Sequence, residues 1–378
     1  MNIGILGCGN ISSTYIQEIQ RIYPKLLQIE AVADRTVSRA KETAVRYQIP
    51  RALSIDELLE DPTICLIVNL TAPKAHKELN LKILNAGKHV FCEKPFALTV
   101  EDAQEVAAVA EEKGLYIGAA PDTFLTAPMQ DCRRLLEDGW IGKPLYVTAN
   151  MISHGMETWH PSPKAFYEEG GGPLYDMAGY YLSVLIHLFG PVEEVFSYSG
   201  KAFEERRIYS QPLADTRLKV EVPTHYTSVL RMKNGVLVNM NMSFDIWYST
   251  LPKLEVYGTE GTMTMPDPNR SEGLPKIFRK EQVLAESFGM TSDMKSYEVP
   301  LRSQTVSDYT RGTGVAELAC AIKEGRKNRA GVQMAIHMLE VIQGIMKSSE
   351  NGERYVMQTE CVQPTAWDWR KALDNTEA

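Results

Sequence analysis

Ile3-Gly4-Ile5-Leu6-Gly7-Cys8-Gly9-Asn10-Ile11-Ser12 begins as a short apolar strand and breaks at once into a glycine turn, after which a helical pattern runs to about Tyr23. Strand, G-x-G and helix in this order are one residue off the dinucleotide-binding fingerprint, with Ser12 in the last motif position. Gly7 permits the tight turn. Gly9 lets the main chain approach a pyrophosphate. The amides at the helix start, around Asn10 and Ile11 with Ser12 nearby, would hold its charge. Gln28–Asp34 reads as a second strand, so Asp34 follows at the distance where an acid meets the adenosine ribose. A carboxylate there accepts the ribose hydroxyls and repels a 2′-phosphate, which favours NAD. Arg35 beside it can hold that phosphate, which leaves NADP possible.

The alternation continues outward from this stretch. Val37–Tyr47 is helical, and Ser54-Ile55-Asp56-Glu57 is a capping box. Cys65–Leu70 is a strand buried on both sides, and Lys74–Ala86 is a helix stopped by Gly87. His89-Val90-Phe91-Cys92-Glu93-Lys94-Pro95 is a buried strand ending in a charged pair and a proline. Thr99–Lys113 and Leu115–Ala120 add a helix and a strand. Such alternation predicts a doubly wound parallel sheet over 1–121. Lys94 then lies at the carboxyl end of a parallel strand, where open α/β sheets bind ligands. A Glu93–Lys94 ion pair capping the strand is the plainer alternative. Thr71, Pro73 and His76 follow the Cys65–Leu70 strand and are expected to line the nicotinamide side. His76 reads equally well as a surface residue at a helix start.

From about Asp122 the pattern changes, and 122–378 is expected to form a second, α+β domain. Ala127–Asp138 is helical and Leu145–Ser153 a strand. The loop His154-Gly155-Met156-Glu157-Thr158-Trp159-His160-Pro161 concentrates stacking and hydrogen-bonding groups, suited to the wall of a carbohydrate or polyol pocket. Gly170-Gly171-Gly172-Pro173 opens a helix over Leu174–Phe189. At ~100° per residue, Asp176 and Tyr180 point the same way near its start, whereas His187 returns to that angle too far along the axis to join them. Beyond it the period falls to two, with Asn234-Gly235 as a hairpin turn. The expectation is an open, mainly antiparallel sheet with helices on one face. Residues 266–311 are poorly patterned, and two helices follow, Gly314–Glu324 and Val332–Ser349.

Bulk properties narrow the functional classes. The 378 residues exceed one ordinary core, and a net charge of −8 offers no general attraction to nucleic acid or an anionic membrane. No apolar run approaches the ~18 residues of a membrane helix. The six cysteines show no metal-ligand spacing, so no metal is expected, and they suit a reducing compartment. A cleaved leader would remove the first core strand, which argues for a cytoplasmic chain starting at Met1.

Four landmarks in order, Gly7-Cys8-Gly9-Asn10-Ile11-Ser12, Leu70-Thr71-Ala72-Pro73 with His76, Glu93-Lys94-Pro95, and Gly170-Gly171-Gly172 leading to Asp176, resemble the Gfo/Idh/MocA family of nicotinamide-dependent oxidoreductases across essentially the whole chain. The resemblance implies a Rossmann domain followed by an open antiparallel sheet whose exposed face makes a homodimer or homotetramer. It implies hydride transfer at a secondary hydroxyl of a sugar or cyclic polyol. Lys94 and Asp176 match the family's reactive lysine and aspartate. Tyr180 stands where the family has histidine, and of the segment after the last Rossmann strand only Phe124 matches. The base is therefore open among Tyr180, Lys94, His154 and His160. A substrate wall of Phe124, His154, Trp159 and His160 is expected, with Glu93 and Lys94 among the cofactor contacts. An NAD-dependent glycosidase acting by transient oxidation and a nucleotide-sensing regulator are the alternatives.

Overall fold

The computed structural model describes residues 1–285, 295–302 and 310–368, so parts of the poorly patterned stretch 266–311 lie outside the described residues. Two compact units emerge. The first holds Met1–Gln130 with the described residues of 303–339 and 364–378; the second holds 131–302 and 340–363.

In the first unit, strands β1 (Asn2–Leu6), β2 (Gln28–Ala33), β3 (Arg51–Leu53), β4 (Leu66–Asn69), β5 (His89–Cys92) and β6 (Ile117–Ala119) form one sheet in the order β3-β2-β1-β4-β5-β6. Every pairing is parallel. Helices α1 (Asn10–Ile22), α2 (Val37–Tyr47), α3 (Ile55–Glu60), α4 (His76–Asn85) and α5 (Val100–Glu112) connect them. The capping box at Ser54 and Glu57 is present. The strand order reverses between β1 and β4, and such a switch point opens a crevice at the carboxyl ends. Gly7, with φ +99°, sits there, and a Cβ on it would stand 2.8 Å from the Leu70 carbonyl. The turn therefore requires glycine.

The expected cut at 122 leaves out residues 122–130 and the described residues of 303–339 and 364–378, which belong to this unit. A later helix of the chain, Thr313–Glu324, packs Val315, Ala316, Leu318 and Ala319 into the same core as Ile3, Ile5, Val68 and Phe91. The helical period of 313–324 identifies an apolar face but not which sheet receives it.

The second unit is built on a nine-stranded sheet. Its strands are β7 (Pro144–Ile152), β8 (Val192–Gly200), β11 (His225–Met232), β12 (Leu237–Ser243), β13 (Leu254–Gly258), β14 (Gly261–Met265), β15 (Lys276–Arg279), β16 (Tyr297–Glu298) and β17 (Tyr355–Val356). They run in the order β16-β15-β14-β13-β7-β12-β11-β8-β17, antiparallel except for β7 beside β12. A separate hairpin pairs β9 (Glu205–Arg207) with β10 (Arg217–Lys219). Along β11, Tyr226, Leu230 and Met232 are buried while Thr227, Val229 and Arg231 are exposed, the alternation of a sheet covered on one face. Tyr181, in the helix Gly179–Phe189, bonds across that inner face to Asn150 at 3.3 Å. No helix among the described residues is long and apolar enough to cross a membrane.

Candidate active site

The register of the first sheet decides what meets at its carboxyl edge. Leu6 pairs with Asn69, and Asn69 with Cys92. The residues that follow each strand, Gly7, Leu70-Thr71 and Glu93-Lys94, therefore emerge side by side, about 10 Å across two strand spacings.

The cofactor expectations find a suitable cradle here. Helix α1 begins after Gly9 with no side chain capping its first amides. Gly9 and Asn10 are exposed, Ile11 is half-buried, and a Cβ on Gly9 would meet nothing within 4 Å. Open space in front of uncapped amides suits a pyrophosphate. The Ser12 hydroxyl is turned away and donates to the Gly9 carbonyl at 2.6 Å. Asp34 is only 8% exposed, and its oxygens accept from the amides of Cys8 at 2.8 Å and Thr36 at 2.7 Å. It thus ties the glycine turn to the end of β2. Arg35 and Arg39 stand exposed beside it, with Arg39 at 3.7 Å.

The β4 and β5 ends are cross-braced. The Thr71 hydroxyl donates to Asn69 at 2.7 Å, and Pro73 is exposed. His76, expected beside the nicotinamide, is instead fully buried, with Nδ1 2.7 Å from the Pro95 carbonyl and Nε2 2.9 Å from that of Thr71. Glu93, expected as a cofactor contact, is also turned inward. It accepts from the Tyr15 hydroxyl at 2.9 Å and from the Lys94 amide at 2.7 Å. Phe124, expected on the substrate wall, is fully buried in a tight turn, Thr123–Leu125.

In the second unit, Asp176 lies in a π-helical turn, Leu174–Ala178, that precedes the α-helix Gly179–Phe189. The uniform α-helical angle expected for 174–189 therefore does not hold across Asp176. Local π-winding recurs at functional positions. Asp176 is half-buried and Tyr180 is 5% exposed. His187 is fully buried, its carbonyl accepting from Arg133 at 3.2 Å and from Gln363 at 2.9 Å.

The loop from His154 is anchored from beneath. Arg206 donates to Glu157 at 2.6 Å and to the His154 carbonyl at 2.7 Å, and it pairs with Asp245. The Tyr167 hydroxyl donates to the same Glu157. The His154 ring stacks on Trp247 with centroids 3.2 Å apart and planes 12° apart. Burial and the Arg206 charge hold the His154 pKa down. Trp159 is 64% exposed, edge-on to His160. His160 Nδ1 accepts from the Ser162 amide at 3.1 Å, leaving Nε2 to carry the proton when the ring is neutral. Composition flags the aromatics of this loop, but Arg206 and Asp245 come from 49 and 88 residues beyond Glu157 and carry no local signal.

Compared with known proteins, residues 1–120 match the model of an oxidoreductase family with an NAD-binding Rossmann fold, GFO_IDH_MocA. Residues 129–264 match the GFO/IDH/MocA C-terminal domain. Bovine trans-1,2-dihydrobenzene-1,2-diol dehydrogenase is 29% identical over 304 residues, 78% of this chain and 85% of that one. Myo-inositol 2-dehydrogenase of Thermotoga maritima is 26% identical over 265 residues, 69% and 74% of the two chains. An NAD binding oxidoreductase from Klebsiella pneumoniae superimposes with a TM-score of 0.78 at 20% identity, covering 95% of this chain and 99% of that one. Levoglucosan dehydrogenase in complex with NADH and L-sorbose gives 0.77 at 17% identity, with coverage of 95% and 99%. At these identities the superpositions speak for the fold.

Proposed function

Because this chain belongs to the Gfo/Idh/MocA family of oxidoreductases, we propose that it is a dehydrogenase acting with NAD, or NADP, on a secondary hydroxyl of a sugar or cyclic polyol. The observation that carries the reading is the row Leu6, Asn69, Cys92, which brings the phosphate turn and the Lys94 main chain to one edge of one sheet. The sugar and polyol class follows the named activities of the relatives, myo-inositol 2-dehydrogenase above all.

The nicotinamide, when bound, supplies the two-electron step. Gly9, Asn10 and Ile11 would hold the pyrophosphate, Asp34 the adenosine ribose, and Thr71 and Pro73 would flank the nicotinamide. The Lys94 amine would donate to the reacting oxygen and stabilise its developing negative charge. Asp176 would fix a neighbouring hydroxyl. Tyr180 is our choice for the group that takes the hydroxyl proton. Trp159 offers an exposed face for a sugar ring. These second-unit roles follow the family motif and the residue chemistry. The open face of the large sheet exposes Tyr146, Tyr198 and Val229, which we assign to a homodimer or homotetramer contact testable by sedimentation equilibrium.

A panel of sugars and polyols read by NADH absorbance tests the proposal, with Lys94→Ala as control. Turnover should vanish in the variant while NADH still binds. Ordinary turnover by Lys94→Ala would remove the lysine from the reaction. Release of nitrophenol from a glycoside without net NADH would favour the glycosidase.

A further inference from the structure

Lys94 stands between two neighbours, each tied to a different helix of the first unit. Glu93, before it, closes the ladder between β4 and β5: its amide donates to the Asn69 carbonyl at 2.9 Å. Its side chain then turns inward. One carboxyl oxygen accepts from the Tyr15 hydroxyl of α1 at 2.9 Å, and the other from the Lys94 amide at 2.7 Å. Pro95, after it, is held through its carbonyl by His76 of α4 at 2.7 Å. The main chain on both sides of the lysine is therefore fixed from behind the sheet's carboxyl edge.

Packing alone does not account for the Tyr15 tie. Tyr15 lies on the core face of α1 with Ser12, Ile16, Ile19 and Ile22, and its ring meets Phe91 with centroids 6.2 Å apart. A phenylalanine would fill that space. The tyrosine instead carries a hydroxyl into a fully buried position, where a polar group without a partner is costly, and the Glu93 carboxyl group meets it there. Burial holds the Tyr15 pKa well above the usual tyrosine value, so the hydroxyl keeps its proton and donates. The same helix presents its uncapped amides just after Gly9. Tyr15 follows Asn10 by about 8 Å along the axis. One short helix thus carries the phosphate seat at its start and the hold on the Glu93–Lys94 turn a little further on.

We propose that Tyr15 is a positioning residue for Lys94: its hydroxyl, acting through the Glu93 carboxyl group, sets the Lys94 main chain relative to the phosphate seat on the same helix. This rests on Lys94 being the reacting amine. Hydride transfer tolerates little misplacement, since an error of about 1 Å can cost about 10²-fold in rate. The proposal accounts for a buried phenol where an apolar ring would pack, at a position outside the four sequence landmarks.

Hydrogen exchange of the Lys94 amide, followed in the full chain labelled with ¹⁵N-lysine, tests it without a substrate. The Lys94 signal is the one lost in Lys94→Arg. Tyr15→Phe keeps the ring against Phe91 and removes only the hydroxyl. Lys94 exchange should then quicken by about tenfold, the equivalent of one hydrogen bond. The Lys88 amide, bonded to the Ile83 carbonyl in the same unit, should keep its rate. An unchanged Lys94 rate, or equal acceleration of both amides, would overturn the proposal. With a substrate from the polyol panel, kcat should fall by about 10-fold to 10²-fold while NADH affinity stays within about twofold. A lower melting temperature with kcat intact would make Tyr15 a packing residue and defeat the proposal. Glu93→Met removes the link itself and should reproduce both effects, and adding Tyr15→Phe should change neither further. An additional loss in the double variant would mean that Tyr15 acts by another route, against the proposal. Should Tyr15→Phe fail to fold, Glu93→Met decides, and wild-type exchange and kcat there would sink it. A silent polyol panel with Lys94 exchange selectively quickened in Tyr15→Phe would count against the dehydrogenase reading and leave the link standing.

Discussion

His76 Nδ1 lies 2.7 Å from the Pro95 carbonyl oxygen, and the Thr71 carbonyl faces the other ring nitrogen at 2.9 Å. Carbonyl oxygens only accept, so both nitrogens must donate, and the ring is an imidazolium. Burial opposes that charge, but the Cys92 sulfur beside the ring and the two carbonyls favour it and prevail, raising the pKa from 6.5 to about 9. A folded pKa above the ordinary value stabilises the charged form. Its contribution is complete below about 6.5 and is lost as pH climbs through about 9, a change of at most about 3 kcal/mol. Urea unfolding of wild type should therefore show stability falling from about pH 7 to about pH 10 more steeply than in His76→Gln. Parallel curves would mean a neutral ring.

Asp34 has one observed role and one proposed. Its oxygens hold the Cys8 and Thr36 amides, and the proposed reading also gives it the adenosine ribose. Asp34→Ala should raise the NAD dissociation constant and shift the NADP-to-NAD preference by about 10-fold or more, as Arg35 and Arg39 lose the opposing carboxylate. It should also cost about 1–3 kcal/mol of stability through two unsatisfied amides. NADH and NADPH fluorescence titrations with a parallel melt separate the effects. An unchanged cofactor ratio would take Asp34 out of specificity.

Much of this was legible in the residue order. Apolar strands, glycine stops and the capping box place the first sheet, because each signal lies within a few residues of the element it defines. Long-range contacts are different. His76 stands at a helix start in sequence, and only the approach of Thr71 and Pro95 makes it a buried cation. Glu93 reads as a partner for Lys94, yet its carboxylate finds Tyr15, 78 residues away. The short strands Arg51–Leu53 and Glu205–Arg207 carry too few residues to show a period. The turn around Asp176 departs from α-helical winding although its sequence favours a helix.

Arg206 is 3% exposed at its side chain and sits between Glu157, at 1%, and Asp245, at 9%. Removing it leaves two buried carboxylates facing each other. Arg206→Met should destabilise the protein by about 3–5 kcal/mol at neutral pH. Adding Glu157→Gln should restore part of that loss by removing one of the stranded charges. The His154–Trp247 stack above this anchor should loosen in the single variant, readable as a change in tryptophan fluorescence. A full complement of wild-type stability in Arg206→Met would show that the ion network contributes nothing net.

The proposed proton transfer depends on Tyr180. Its side chain is almost fully buried, and it stands one helical turn from Asp176 in sequence, at the position where the family carries histidine. A phenol loses its proton near pH 10 in water, so a tyrosine base requires a neighbouring positive charge, and that charge should appear in the pH profile. Tyr180→Phe removes one oxygen and keeps the ring that fills the core, so folding should survive. If the ionised phenol takes the substrate proton, kcat should fall by about 10²–10⁴ and the rise of kcat with pH that reports its deprotonation should disappear, with NADH affinity unchanged. A loss confined to KM would make Tyr180 a substrate contact. An unaltered rate and pH profile would pass the proton to Lys94 or to a loop histidine. His160→Gln would then be the next variant, because burial and the Arg206 charge lower the His154 pKa, which weakens it as a base, and its ring is already stacked on Trp247.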